Sequence, residues 1–453
     1  MAEAARQDKT ARQLRLLSEA LGTGRLGPVR RLVNSLSPAE IGNLLESLPP
    51  AKRNVVWGLV DPEDDGEVLV HVGDEVREGL IADMDPDELV AAVEDLDIDD
   101  LADLVEDLPD TVIDTVLKSM DRENRDRLEQ VLSYPEDSAG RLMNPDVVMV
   151  RGDVSVDVVL RYLRLRGELP EHTDHLFVVS RRHQYLGRVA LTALLTNESI
   201  TPINELLDDE QPAIPVHTPA PEVANQFSDH DWVSAPVVDA NNVLLGRITI
   251  DDVVDIIREQ AEHQAMGAAG LDEDVDLFAP IARTARSRAI WLGINLLTAF
   301  LASWVIGNFQ HVLEKVVATA VLMPVVASMG GIAGTQTLTI MVRALALGQV
   351  GMTNLWPLVR KEVTVGLVNG VLWAGAVGLV SFGVYRDVLL SIAFGCAMVI
   401  NLCLAAIAGV FIPLIQKRMG IDPALAGGTI LTTVTDCCGF ASFLGLATVM
   451  LLR

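Results

Sequence analysis

The second part of the chain contains five long stretches of apolar residues. They cover residues 289–310, 316–342, 363–385, 388–415 and 423–452 and hold very few charged side chains. A helix needs about 20 apolar residues to cross a bilayer, so each stretch is long enough to span a membrane. The pattern predicts an all-α transmembrane bundle of five helices, within residues 285–453.

Residues 36–133 have a different pattern, in which apolar and acidic positions recur with helical spacing in short units. The sequence VEDL starts at Val93 and again at Val105, twelve residues later. A single short amphipathic helix cannot bury its own apolar face, so such units are expected to stack. We predict an α-helical superhelical N domain over residues 1–135.

β-branched runs and turn residues follow, and they occur twice. The stretch LFVVSRRHQYLGRVALTALL, from Leu176, aligns without gaps with APVVDANNVLLGRITIDDVV, from Ala235, 59 residues later. Each copy has the pattern of a strand, a turn, a second strand and a helix. The duplication predicts tandem α/β domains over residues 136–200 and 201–258, followed by a connecting helix over 259–284.

Charge divides the chain in the same way. Residues 1–282 hold 24 basic and 57 acidic side chains, a net charge of −33, whereas residues 283–453 hold 11 and 5, a net charge of +6. An acidic surface of this size repels nucleic acid and attracts cations. A general acidic bias, as in a salt-adapted protein, is the alternative explanation. No nucleic-acid partner is expected.

The basic residues of the membrane part predict its orientation. With the N-terminus in the cytoplasm, eight Lys and Arg residues flank the spans on the cytoplasmic side, and only Lys315, Arg386 and Arg453 flank them outside. The first residues lack the apolar core of a signal peptide. We expect a multi-pass protein of the cell (inner) membrane, embedded in the lipid bilayer, with its C-terminus outside.

One carboxylate, Asp436, interrupts the last apolar stretch. A carboxylate near the middle of a span costs about 2.5–3.5 kcal/mol on insertion scales, so such residues usually face a bundle interior or an aqueous path. The alternative is a side chain that reaches back to the membrane surface. The position favours a functional role for Asp436.

Small and hydroxyl-bearing residues form two stripes at the spacing i, i+4, i+8, which places each set on one helical face. They are Gly331, Thr335 and Thr339 in the second span, and Gly428, Thr432 and Asp436 in the last. An oxygen-only lining suits hard cations, Mg²⁺ in particular. The alternative is close helix packing, with hydroxyls bonded back to carbonyl groups; the carboxylate favours the cation path.

These motifs together resemble the MgtE family of magnesium channels. The resemblance rests on YPEDSAGRLM, on GGIAGTQT in the second span, on DPALAGGTILTTVTD before the last span, and on the LGR motifs of a CBS-domain pair. It covers nearly the whole chain in family order. It implies a homodimer whose second and fifth spans line the pore, with Asp436 as the main ion-binding carboxylate.

Two departures from the family bear on selectivity. The family usually has Asn where this chain has Ile332, and SGP or SNP where it has Gly427, Gly428 and Thr429. Lost amide oxygens would loosen the ordering of the ion. Transport of other divalent ions, such as Co²⁺ or Ca²⁺, is therefore the alternative to Mg²⁺.

The resemblance also implies that the N domain and the CBS domains meet across bound Mg²⁺. Acidic residues recur at i, i+3, i+7 and i+10 where the second CBS copy leads towards the membrane, and two more lie one turn apart in DIDDLADL. A solvated acidic face without a sensing role is the alternative. The candidate sensor residues are Asp99, Asp103, Asp251, Asp252, Asp255, Glu259 and Glu262.

The second CBS copy carries Thr249 and Asp252, the T-x-x-D spacing that in the CBS family holds a nucleotide ribose. The resemblance implies ATP or another adenine nucleotide as ligand. The first copy has Ala190 and Ala193 instead, so one site per chain is the most that is expected. The alternative is that Asp252 only caps the helix that follows.

The sequence therefore predicts a divalent cation (Mg²⁺) channel or transporter, gated by cytoplasmic Mg²⁺ at the acidic domains. No paired carboxylates, activated nucleophile or phosphate loop is apparent in the membrane half, so an enzyme is not expected. The competing class is a membrane-anchored CBS sensor or scaffold that does not conduct. Asp436 discriminates between them, because an anchor has no use for it.

Overall fold

The computed structural model describes residues 26–451, except for residues 95, 106, 268–269, 272–275 and 352. The chain separates into two compact units. Unit 1 comprises Met1–Gln260 with Asp274–Ala279, and unit 2 comprises Ala261–Glu273 with Pro280–Arg453.

Short helices form the first part of unit 1. Three of them have proline in their first turn, where its missing N–H costs no helical hydrogen bond. Ser37 caps α2 and completes a capping box with Glu40. The helices are α1 Leu26–Val33, α2 Pro38–Glu46, α3 Pro50–Trp57, α4 Asp65–Val70, α5 Asp74–Asp83, α6 Pro86–Val93, α7 Ile98–Val105, α8 Asp110–Ser119 and α9 Arg122–Leu132.

The apolar faces of these helices share one core, in which Ile41, Leu69 and Leu104 are almost completely buried. The two VEDL motifs coincide with helix ends, because Val93 closes α6 and Val105 closes α7. The sequence repeat is therefore a repeat of the structural unit, and the predicted stack of short helices is confirmed.

The two α/β domains follow. After α10 (Ala139–Leu142), the first contains β1 Met149–Arg151, α11 Val156–Arg166, β2 His175–Val179, β3 Tyr185–Ala190 and α12 Leu191–Thr196. A 3₁₀ turn at Ile203–Glu205 leads to the second, which contains β4 Ile214–Pro215, α13 Ala220–His230, β5 Ser234–Val238, β6 Leu244–Thr249 and the start of α14 Ile250–Gly267.

Both sheets have the same topology, with the first strand parallel and the third antiparallel to the middle one. His175 pairs with Ala190, as Ser234 pairs with Thr249 in the second sheet. The register shifts at equivalent places, after Val178 and after Val237. The gapless sequence duplication is thus confirmed as a structural duplication.

The prediction of one connecting helix over 259–284 is wrong in its extent. Helix α14 ends at Gly267, residues 276–280 are not helical, and the next helix begins at Ile281. Gly270, just beyond the end of α14, has a left-handed backbone with a φ of 69°, which is typical of helix ends, and Pro280 immediately precedes the first residue of the next helix. Asp276, in this break, forms a buried ion pair of 2.9 Å with Arg53 of α3, within unit 1.

Within its described residues, unit 2 contains five helices that are long and apolar enough to cross a membrane, as predicted. The third begins at Leu355, before the predicted residue 363, because Arg360, Lys361 and Glu362 continue the helix beyond its apolar part. The helices are α15 Ile281–Gly307, α17 Val317–Ala346, α18 Leu355–Tyr385, α19 Val388–Arg418 and α20 Pro423–Leu451, with the short α16 Gln310–Lys315 after α15. Among the described spans α19 is the most enclosed, whereas α15 exposes large apolar side chains such as Leu297 and Trp304.

Candidate functional site

An open groove lies between α17 and α20 in unit 2, with a volume of about 620 Å³. Four of the predicted pore residues line it: Gly331, Thr335, Thr432 and Asp436. Gly428 and Thr339 are not among the lining residues. The complete lining is Pro324, Ala327, Ser328, Gly331, Ile332, Thr335 and Gln336 from α17, with Thr432 and Asp436 from α20.

The hydroxyl groups of both stripes are oriented by their own helices. The Thr432 hydroxyl donates to the Gly428 carbonyl at 2.9 Å, and the Thr339 hydroxyl donates to the Thr335 carbonyl at the same distance. A hydroxyl that donates its hydrogen backwards keeps its lone pairs as acceptors. The back-bonded arrangement that close packing predicts is therefore also compatible with cation binding.

Sequence reasoning missed a second row of lining residues on α17. Ser328, Ile332 and Gln336 are spaced i, i+4, i+8, parallel to the glycine and threonine row, and all three line the groove. Gln336 carries the only amide among the lining residues that the structure describes. Ile332 is 56% exposed and faces the groove, at the position where the family usually has Asn. The i, i+4, i+8 spacing of this row is visible in the sequence, but because Ile332 is apolar the row does not read as a polar stripe.

Unit 2 holds another enclosed carboxylate, Glu362 of α18, which is 7% exposed. It accepts a hydrogen bond of 3.3 Å from the Thr337 hydroxyl and lies 3.3 Å from Nζ of Lys361. Thr337 is on the buried face of α17, whereas its neighbour Gln336 lines the groove. Glu362 therefore bonds to the packed side of α17.

The end of α14 that belongs to unit 2 also makes a polar contact there. Nε2 of His263 lies 2.5 Å from Oδ2 of Asp422, which immediately precedes α20. Because α20 carries Asp436, this contact joins the last turns of α14 to one of the groove-lining helices.

Three of the candidate sensor residues, Asp99 of α7 with Asp251 and Asp252 of α14, belong to an acidic cluster in unit 1. Burial, together with the charges of Asp251 and Asp100, raises the pKa of Asp252 to about 7. Burial and the neighbouring carboxylates Asp252 and Asp100 raise the pKa of Asp99 well above its ordinary value. Among the described residues, Oδ1 of Asp99 has no hydrogen-bond partner although it is buried.

Asp97 and Asp100 belong to the same cluster, although the sequence analysis did not name them. Burial, with repulsion from Asp97, Asp103 and Asp251, raises the pKa of Asp100 to about 7. Asp97 accepts a hydrogen bond of 3.1 Å from Asn144. The acidic cluster is thus Asp97, Asp99, Asp100, Asp251 and Asp252, and the run DIDD was its sequence signal.

The other candidate sensor residues are outside this cluster, and Glu262 belongs to unit 2. Asp103 is 4.0 Å from the guanidinium of Arg141, and burial raises the pKa of Asp255, which lies near His71. Glu259 and Glu262 are exposed further along α14. Among the described residues, no three acidic, histidine or cysteine side chains converge closely enough to hold a metal ion directly.

Thr249 and Asp252 contact each other at the start of α14. The backbone N–H of Thr249 donates to Oδ2 of Asp252 at 3.3 Å, and its hydroxyl donates to the same oxygen at 3.2 Å and also to Asp251. This is the geometry of a helix cap. The ribose-binding role of the pair stays a prediction.

Three family profiles match the chain. The profile described as "Divalent cation transporter" (MgtE) matches residues 323–446, which include the whole groove. The MgtE intracellular N domain profile matches residues 36–137, and the CBS domain profile matches residues 203–259.

Relatives match over nearly the whole chain. The magnesium transporter MgtE of Thermus thermophilus is 30% identical, covering 96% of this chain and 98% of the relative. The protein of the same name from Enterococcus faecalis is 28% identical, covering 97% of each. A solved structure of the cytosolic domain of the Mg²⁺ channel MgtE in complex with ATP is 30% identical, covering 53% of this chain and 98% of that one, with a TM-score of 0.48. The chain belongs to the MgtE family of divalent cation transporters and is a multi-pass membrane protein.

Proposed function

We propose that two copies of this chain pair along the groove and form a Mg²⁺-conducting pore, in which Asp436 is the ion-binding carboxylate. The observation that carries the proposal is the convergence of Asp436, Thr432 and Thr335 in one groove of the membrane unit. The groove opens on the surface of a single chain. A carboxylate that faced hydrocarbon there would be costly, so a second copy that covers the groove is favoured.

The chemistry of the lining fits Mg²⁺. Carboxylate, hydroxyl and amide oxygens are hard ligands, and Mg²⁺ keeps several of its waters while it contacts one or two carboxylates. The groove is large enough for a cation together with water molecules. Asp436 attracts the ion, and Thr335, Thr432 and Gln336 accept hydrogen bonds from its waters.

We further propose that the N-terminus lies in the cytoplasm and that the acidic cluster senses Mg²⁺ there. The clustered basic residues beside the spans support this orientation. Burial and mutual repulsion disfavour ionised carboxylates at Asp99, Asp100 and Asp252. A bound divalent cation offsets both effects and so holds the N domain against α14.

Bound Mg²⁺ then keeps α14 in the position that closes the pore. The contact of His263 with Asp422 supports this coupling, since it links the end of α14 to the start of α20. When Mg²⁺ is scarce, the carboxylates repel each other and release α14. An adenine nucleotide such as ATP, bound at Thr249 and Asp252, would contact the first turn of α14, which also carries part of the acidic cluster.

Flux into vesicles that contain the purified full-length protein tests the pore. Mg²⁺ should enter with the parent protein, Asp436→Ala should abolish entry while the protein still assembles, and Asp436→Glu should retain part of it. Glu314→Gln, an exposed carboxylate of unit 2 outside the groove lining, is the matched control and should conduct like the parent.

If Asp436→Ala conducts like the parent, the pore assignment is wrong. If the parent protein conducts no divalent cation, the non-conducting sensor or scaffold is the better description. Competition of Co²⁺ and Ca²⁺ against Mg²⁺ in the same vesicles ranks the ions.

A further inference from the structure

Asn401 lies in the middle of α19 and is completely buried. Its Nδ2 donates a hydrogen bond of 2.8 Å to the Val326 carbonyl of α17. It does not line the groove, and the proposed pore does not use it.

Two glycines make room for this amide, one on each groove-lining helix. A Cβ atom at Gly330 of α17 would lie 2.2 Å from Nδ2 of Asn401, and a Cβ atom at Gly439 of α20 would lie 2.8 Å from it. Both distances are shorter than the contacts that Cβ atoms make in proteins, so a side chain at either glycine would force the amide to shift. The amide of Asn401 is therefore wedged between the backbones of α17 and α20.

The contact of the Asn401 amide with the two glycines lies at the level of the groove. Gly330 is adjacent to Gly331, which lines the groove, and Gly439 follows Asp436 by less than one helical turn. Thr335 and Asp436 lie within two turns of these glycines on the same helices, so the separation of α17 and α20 at this point influences how far Thr335 lies from Asp436.

The second amide atom indicates that Asn401 does more than fill space. Within the part of the chain that the structure describes, its Oδ1 is buried without a hydrogen-bond partner. An unpaired buried oxygen is unfavourable, and a leucine of similar shape would fill the same volume without one. What a leucine could not supply is the bond to the Val326 carbonyl.

We propose that Asn401 is a positioning residue that sets the spacing of the two groove-lining helices, and thereby the preference of the pore for Mg²⁺ over Ca²⁺. Mg²⁺ demands a compact, near-octahedral shell, whereas Ca²⁺ accepts a wider and more variable one. A change in spacing therefore penalises Mg²⁺ more than Ca²⁺. This inference rests on the proposed pore function.

The first test replaces the amide. Asn401→Ala should lower the ratio of Mg²⁺ to Ca²⁺ flux about threefold to tenfold, the range expected for one interhelical hydrogen bond. The amount of assembled protein, measured by size-exclusion chromatography, should stay close to that of the parent. An unchanged flux ratio would overturn the proposal, and a lower yield with an unchanged ratio would reduce Asn401 to a packing residue.

The second test is a double-mutant cycle that also works if Asn401→Ala folds poorly. Gly330→Ala alone should lower both the melting temperature and the flux ratio, because its methyl group overlaps the amide. In Gly330→Ala/Asn401→Ala both quantities should return to those of Asn401→Ala alone. Gly445→Ala on α20, where nothing lies within 4 Å of the added Cβ, is the control and should change neither.

Additive effects of Gly330→Ala and Asn401→Ala would show that the two residues do not interact, and would overturn the proposal. The melting temperatures need no transport, so they separate the two proposals. If the parent protein conducts no Mg²⁺, the pore and the selectivity role both fall, while a coupled cycle in melting temperature would retain the contact of Asn401 with Gly330.

Discussion

Mg²⁺ should stabilise this protein much more at pH 8 than at pH 6. The expectation comes from the acidic cluster, where the pKa values of Asp100 and Asp252 are raised to about 7 and that of Asp99 is raised as well. A proton and a divalent cation compete for the same carboxylate oxygens. Mg²⁺ should therefore bind well only above the pH at which these groups release their protons.

Without Mg²⁺, the folded protein should become less stable as the pH rises. The folded pKa of about 7 lies above the ordinary value of 3.8, so the folded cluster holds its protons more tightly than the unfolded chain does. The stability that the neutral carboxyls contribute is fully present below pH 3.8 and is lost as the pH rises to about 7. Each group can change the free energy of unfolding by at most about 1.4 kcal/mol per pH unit in this window.

The magnitude for Mg²⁺ follows from the same pKa values. A group with a pKa of about 7 is about one-tenth ionised at pH 6 and about nine-tenths ionised at pH 8. Each carboxylate that must be ionised thus weakens apparent Mg²⁺ binding about tenfold at the lower pH. With Asp100 and Asp252 both involved, the concentration of Mg²⁺ needed for half of the effect should rise about 100-fold.

Melting of the purified full-length protein, titrated with Mg²⁺ at pH 6, 7 and 8, measures this shift. Limited proteolysis under the same conditions should show protection of the domain junctions by millimolar Mg²⁺ at pH 8 and little at pH 6. Asp252→Asn should abolish most of the Mg²⁺ effect and stabilise the Mg²⁺-free protein at pH 8. Asp209→Asn, an exposed acidic residue outside the cluster, should behave like the parent.

Equal midpoints at pH 6 and pH 8 would refute the reasoning. An undiminished Mg²⁺ effect in Asp252→Asn would do the same. Either result would leave the acidic charge as a general property of the surface, as in a salt-adapted protein.

Three further predictions concern other parts of the chain. Ile332→Asn should raise the preference for Mg²⁺ over Ca²⁺ in competition flux, because it adds an amide oxygen to the groove; an unchanged ratio would exclude position 332 from ion binding. ATP should raise the melting temperature of the parent but not of Thr249→Val, and no shift in the parent would leave Asp252 as a helix cap only. Arg53→Leu should destabilise unit 1 by about 3–5 kcal/mol, because it leaves Asp276 buried and unpaired, whereas replacing both residues by Leu should cost far less; equal losses would contradict a role for the ion pair.

The features that the sequence predicted well are local ones. Spans can be found from the length of apolar runs, and the duplicated domains from a gapless repeat whose register the two sheets share. The break between Gly267 and Ile281 was missed, although Gly270 and Pro280 lie near its two ends. Glycine just beyond a helix end and proline at a helix start are the sequence signals that predict such boundaries.

The features that could not be predicted depend on how helices rotate against one another. The place of Gln336 in the groove and of its neighbour Thr337 on the buried face is set by how α17 packs against α19 and α20. The placement of the Asn401 amide between two glycines involves three helices that come from separate parts of the sequence. No spacing rule within one helix contains this information.

The small number of oxygens in the groove determines where selectivity has to come from. The groove of one chain offers one carboxylate, Asp436, with a few hydroxyls and the Gln336 amide, and the side chain of Ile332 carries no oxygen. An ion held by so few ligands must keep most of its waters. The oxygens that accept hydrogen bonds from the ion's waters then discriminate between ions by their spacing, and the contacts of Asn401 with α17 and α20 bear on that spacing. We therefore expect substitutions at Asn401 to change ion preference at least as much as substitutions at the lining residue Ile332.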